Sequence, residues 1–214
     1  MAGEKIEFSF GMGIKRRTQA LEKRAKELFD IKEDDVNNIY FENISNFTEV
    51  LCTFDKKDLS RSEAIIAYTI LGSLVEAWIV LFLMFYSPEE EVLHRLQIDN
   101  KRQIVNVKFN KMIDFITNNN NIECHELFFK NNKQFLERIR LKRNYVHSIS
   151  KDFGNFNNIS IDEHYTESYE ILRKHGGSPD YVHLKVDIIK YDVFIGVILN
   201  NLEKYFFNKH INRN

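Results

Sequence analysis

Apolar positions along this chain recur mostly at steps of three and four, the spacing of one helix face. Val36, Tyr40, Ile44, Phe47, Leu51 and Phe54 form one such series. Val105, Phe109, Met112 and Ile116 form another, which runs into the polar turn Asn118-Asn119-Asn120-Asn121. Phe128, Phe135, Ile139 and Val146 predict a helix from Cys124 to about Ile149, followed by an Asn- and Gly-containing loop over 151–158. Val186, Ile189, Val193, Val197 and Ile198 predict the inward face of a last helix over 181–207. A charged segment, 16–29, reads as a helix with a thin apolar stripe, and Ile6 to Phe10 alternates like a short strand or arm.

Helix ends are marked as clearly as helix faces. Ser60-Arg61-Ser62-Glu63 reads as a capping box that opens a helix, in which Ser and Glu satisfy each other's backbone N–H groups. Ser87-Pro88 closes it, because the residue before a proline is pushed out of the α region. Pro88 can then open a short helix over 89–96 with acids in its first turn. Ser160-Ile161-Asp162-Glu163 is a second capping box, and Gly176-Gly177-Ser178-Pro179 ends the helix it opens. Helix follows helix through short connections, so the expected fold is an all-α, antiparallel helical bundle. Residues 1–55 read as an N-terminal helical extension and 56–214 as the bundle, the two forming one compact unit.

Composition narrows this picture. Two prolines and eight glycines in 214 residues favour long helices over a many-turned sandwich. A net charge of −1 excludes a uniformly basic nucleic-acid binder, so any such site is a local patch. Cys52 and Cys124 are far apart with no CxxC, which reads as two reduced thiols of a cytoplasmic protein. No charged-then-apolar leader opens the chain. The segment 64–86 is long enough to cross a bilayer, with Glu76 as its one charge. A mid-span carboxylate costs roughly 2.5–3.5 kcal/mol there, and the segment opens on a capping box suited to water. A buried central helix, with no membrane insertion, is the expectation.

The chemistry-bearing stretch is Arg138-Ile139-Arg140-Leu141-Lys142-Arg143-Asn144-Tyr145-Val146-His147. On a helix with Arg140 at 0°, His147 falls near −20°, Asn144 near +40° and Arg143 near −60°, at roughly 100° per residue. Ile139, Val146 and Phe135 fall near −100° to about −140° on the same wheel. The polar stripe thus lies beside the buried face, at the edge of a groove. Cleavage of RNA by its own 2′-hydroxyl needs a proton-transfer group and a cation for the phosphate. Histidine suits the first task and arginine's planar fork the second. Asn144 can orient the imidazole or contact phosphate, and Lys133, Arg138 and Lys142 add local cations for a nucleic-acid backbone. The stripe calls for no metal or cofactor. His125-Glu126 lacks the second histidine of a zinc-protease helix, since Phe129 holds that place. An ordinary solvated basic face is the competing reading of the same residues.

The string Arg140-Leu141-Lys142-Arg143-Asn144-Tyr145-Val146-His147 resembles the signature of HEPN domains, an Arg, four to six residues, then His, often with Asn after the Arg. Arg140 has six residues before His147, but Leu141 follows it. Arg143 has Asn144 after it, but only three residues precede His147. The resemblance implies a metal-independent endoribonuclease, as in toxin–antitoxin, anti-phage or RNA-processing systems. It also implies a homodimer joining two motif helices, RNA as substrate, and an antitoxin or other protein partner. Inactive relatives that only bind RNA, nucleotide or protein are the alternative. Glu76 gains a supporting role in this picture, as a buried carboxylate that pairs with an arginine of the motif helix.

Overall fold

The computed structural model describes residues 36–54, 59–85, 89–118, 126–154 and 181–211, with scattered helical residues between 16 and 27. Side chains at 36–40, 145–154 and 181–183, among others, lie outside that description. So do the strand or arm expected at 6–10 and the capped helix expected from Ser160.

Helices account for the regular structure of the described residues: α1 (Val36–Thr53), α2 (Arg61–Phe85), α3 (Glu89–Leu96), a 3-10 turn (Lys101–Asn106), α4 (Phe109–Asn118), α5 (Glu126–Asn131), α6 (Lys133–Gly154) and α7 (Tyr181–Ile211). The fold is an all-α bundle. The capping box forms as the sequence reads. The Ser60 backbone N–H donates to Glu63 Oε2 at 2.8 Å, and the Glu63 N–H donates to Ser60 Oγ at 3.2 Å. Gln97, in the left-handed region at φ 57°, turns the chain out of α3, and the Asn100 side chain caps the 3-10 turn.

α2 is the axis of the bundle, packed against α1, α4, α6, α7 and the 3-10 turn. It alone among the described helices is long and apolar enough to cross a membrane, and 67% of its most apolar window is buried inside the fold. A helix apolar on most sides needs neighbours on most sides, and α2 has them, with Ile66 left exposed. Trp78, Tyr68 and Phe82 are fully buried along it. Phe82 packs edge-on to Phe129, 5.1 Å between ring centroids, and Phe129 and Phe135 each stand 6.0 Å from Phe194. Such tilted pairs match the ring quadrupoles. Trp78 Nε1 donates to the buried Tyr191 hydroxyl at 3.2 Å, and burial pushes that phenol well above its ordinary pKa. Phe41, Ile44 and Leu51 of α1 belong to the same core as α2, so the described part of the N-terminal extension is built into the bundle.

Chain directions follow from the contacts. Tyr68 meets Lys142 of α6, whereas Phe82, further along α2, meets Phe129 of α5, so the segment from α5 into α6 runs back along α2. Arg138 meets Asp187 while Phe135 meets Phe194, so α7 runs antiparallel to α6.

Three readings of helix extent and facing are corrected. The helix expected over 124–149 is two helices, parted at Asn132, and α6 runs on to Gly154 through the start of the expected loop. Phe47 of α1 is exposed, its place in the core taken by Phe41 and Thr48. On α7 the expected inward face is largely outward: Val186, Ile189 and Val193 are exposed, while Leu184, Asp187, Tyr191, Phe194 and Leu202 are buried. The buried face carries the larger apolar set, and with it Asp187, whose partners are described below. Ile189→Ser is therefore expected to change unfolding free energy by less than about 0.5 kcal/mol, as for an ordinary surface site. Urea denaturation checks this, and a loss of several kcal/mol would mean the face is covered.

Candidate functional site at the edge of helix α6

α6 is unbroken from Lys133 to Gly154, so positions 140, 143, 144 and 147 share one stripe of a continuous helix. The buried face lies where the wheel puts it, with Phe135 and Ile139 in the core. Arg140 and Arg143 are half-buried at its edge, and Asn144 is exposed. The His147 backbone is helical, and its side chain lies outside the described residues.

The two arginines are held differently. Arg140 turns back along its own helix to Glu137: Nε lies 2.9 Å and Nη2 2.8 Å from Glu137 Oε2. Arg143 crosses to α2, where its Nη1 lies 2.6 Å from Glu76 Oε2. Its guanidinium carbon also lies 5.8 Å from the centroid of the Phe109 ring on α4. Its stem rests on Gly72. A Cβ added there would stand 2.7 Å from Arg143 Cβ, 2.8 Å from Cδ and 3.0 Å from Cγ. A glycine inside a helix costs about 1 kcal/mol relative to alanine. Here that cost is set against a close helix–helix approach that brings Arg143 over α2. The sequence pattern gives Gly72 no part in this site, and it gives Phe109 only a place on the apolar face of its helix. A lone glycine inside a long apolar helix was the available signal for the first.

Glu76 is thus the carboxylate that pairs with a motif-helix arginine, and the partner is Arg143. Burial pushes its carboxyl above the ordinary value, and the Arg143 charge and hydrogen bonding pull it part of the way back. A carboxyl that binds its proton more tightly in the folded state lowers stability as pH rises from the unfolded pKa through the folded one. Glu76→Gln removes this dependence. The variant is expected to match the wild type near pH 4 and to equal or exceed it at neutral pH. Thermal melting across that range checks the sign. A Glu76→Gln protein clearly less stable than wild type at neutral pH would contradict it.

Among the described residues Arg138 and Lys142 turn inward, which corrects the nucleic-acid contact expected of them. Arg138 forks onto Asp187, its Nε 3.0 and 3.2 Å from the two carboxylate oxygens and its Nη2 bonded to Oδ1. Lys142 is fully buried. Its Nζ donates to the Tyr68 hydroxyl at 3.0 Å, lies 4.4 Å from the Tyr68 ring centroid, and is 3.9 Å from Asp187 Oδ2. The Tyr68 hydroxyl in turn donates to Asp187 Oδ2 at 2.8 Å. Neither cation faces a nucleic-acid backbone, because a buried carboxylate from α7 draws both inward. Lys133 is at the surface, 3.5 Å from Asp114 Oδ1 and 3.4 Å from Asn118 Oδ1. Between 130 and 143 the chain itself has one acid, Glu137. The fold supplies Glu76, Asp114 and Asp187 from elsewhere.

An all-α bundle with an arginine-bearing helix edge is the class these features define. No family model matches the chain, and no curated protein or solved structure matches it.

Proposed function

We propose that the chain is a HEPN-like, metal-independent endoribonuclease of the cytoplasm, acting as a homodimer in a toxin–antitoxin or anti-phage setting. His147 is the proton-transfer group, Arg140 and Arg143 hold the scissile phosphate, and Asn144 supports them. The observation that carries the reading is the continuity of α6 through 140–147, with both guanidiniums at a half-buried helix edge. Partial shielding strengthens a guanidinium's hold on phosphate relative to bulk water. The test is a labelled single-stranded RNA incubated with the protein in excess EDTA. Cut products ending in a 2′,3′-cyclic phosphate are the expected result, and the matching His147 variant is argued below.

A second reading, an inactive HEPN-like module that binds RNA, nucleotide or protein, is favoured by one observation. Acids from other helices compensate Arg138, Lys142 and Arg143, which weakens the local cation excess. Salt-sensitive RNA binding without cut products would select it.

A further inference from the structure

We infer that, of the two arginines assigned to the phosphate, Arg143 makes the principal grip and Arg140 contributes little beyond its charge, and that Glu76 is the positioning residue of Arg143. The inference rests on the nucleic-acid reading above. A guanidinium grips a phosphate best through two parallel N–H donors on one edge, and the side-on edge is formed by Nε and Nη2. In Arg140 both atoms of that edge are taken by Glu137 Oε2. In Arg143 the contact to Glu76 uses Nη1, and Nε and Nη2 have no acceptor among the described residues. That edge belongs to a side chain held at three places. Gly72 of α2 lies against its Cβ, Cγ and Cδ, Phe109 of α4 faces its guanidinium, and Glu76 holds its far nitrogen. Arg140 has one anchor, three residues back on its own helix.

Glu76 is also held at a cost, since burial opposes its ionised form. A carboxylate kept charged in such a place is explained by what it aligns.

The experiment compares the full chain with Arg143→Lys, Arg140→Lys and Glu76→Gln, using a short fluorescent single-stranded RNA. Both lysine variants keep the charge, so a difference between them reports the fork and not the general field. Arg143→Lys is expected to weaken RNA binding by about tenfold, and Arg140→Lys by less than about twofold. Glu76→Gln is expected to leave KM within about threefold and lower kcat by about tenfold, a split that misplacement of a bound group produces. Its melting temperature at neutral pH is not expected to fall, which separates positioning from folding. Equal weakening by the two lysine variants, or an unchanged kcat in Glu76→Gln, overturns the inference and leaves the RNA reading standing. A wild-type protein that binds no RNA overturns both. If RNA is bound and not cut, the comparison of the two lysine variants alone decides.

Discussion

Replacing Asp187 with alanine is expected to destabilise the fold by about 3–5 kcal/mol, the usual cost of removing one partner from a buried charge network. Asp187 is 1% exposed and Lys142 is 0% exposed. The carboxylate accepts from Arg138 and from the Tyr68 hydroxyl, and it lies 3.9 Å from the Lys142 ammonium. Its loss removes a counter-charge from an ammonium that is fully buried. The chain's one tryptophan, Trp78, is buried beside Tyr191 of the same α7, so its fluorescence follows urea unfolding of this region. The network as a whole need not be stabilising, because an apolar replacement of similar volume often serves as well. Asp187→Leu combined with Lys142→Met is therefore expected to recover much of the loss, giving a coupling energy above about 1 kcal/mol. A loss below about 1 kcal/mol in Asp187→Ala, with no coupling to Lys142, would mean the pair is not buried as described.

His147→Ala is expected to reduce RNA cleavage by about 10²- to 10⁴-fold, the range over which a positioned proton-transfer group contributes. The residue follows Arg143 by four positions on the continuous α6, the spacing of neighbours on one helix face. Alanine is the best helix former, so the backbone of α6 should not suffer. An unchanged circular dichroism spectrum and melting point, together with lost cleavage, would assign the effect to chemistry. Cleavage at the wild-type rate removes His147 from the mechanism and leaves binding as the function. A wild-type rate abolished by EDTA would point instead to a metal-dependent reaction.

Much of the architecture was legible in local sequence. Ser60 and Glu63 close their box within one helical turn, so the start of α2 follows from near neighbours. The polar stripe of α6 was legible for the same reason, since residues three, four and seven apart share a face in any unbroken helix. The helix ending expected at 149 was less secure, because the turn residues after it left α6 free to continue to Gly154.

The chain by itself determined that it would be helical, where the central helix would lie, and which residues share the edge of α6. Only the packed structure decided which face of α7 turns inward and what each cation meets. The physical reason is distance along the chain. Val186, Ile189 and Val193 make an apolar stripe of their own, but Leu184, Tyr191, Phe194, Ile198 and Leu202 are the residues that pack. The buried face also carries Asp187, which periodicity counts against it and which enters the core where Arg138, Lys142 and Tyr68 come together to receive it. Likewise Glu76 finds Arg143 because Gly72 lets two helices distant in sequence close on each other.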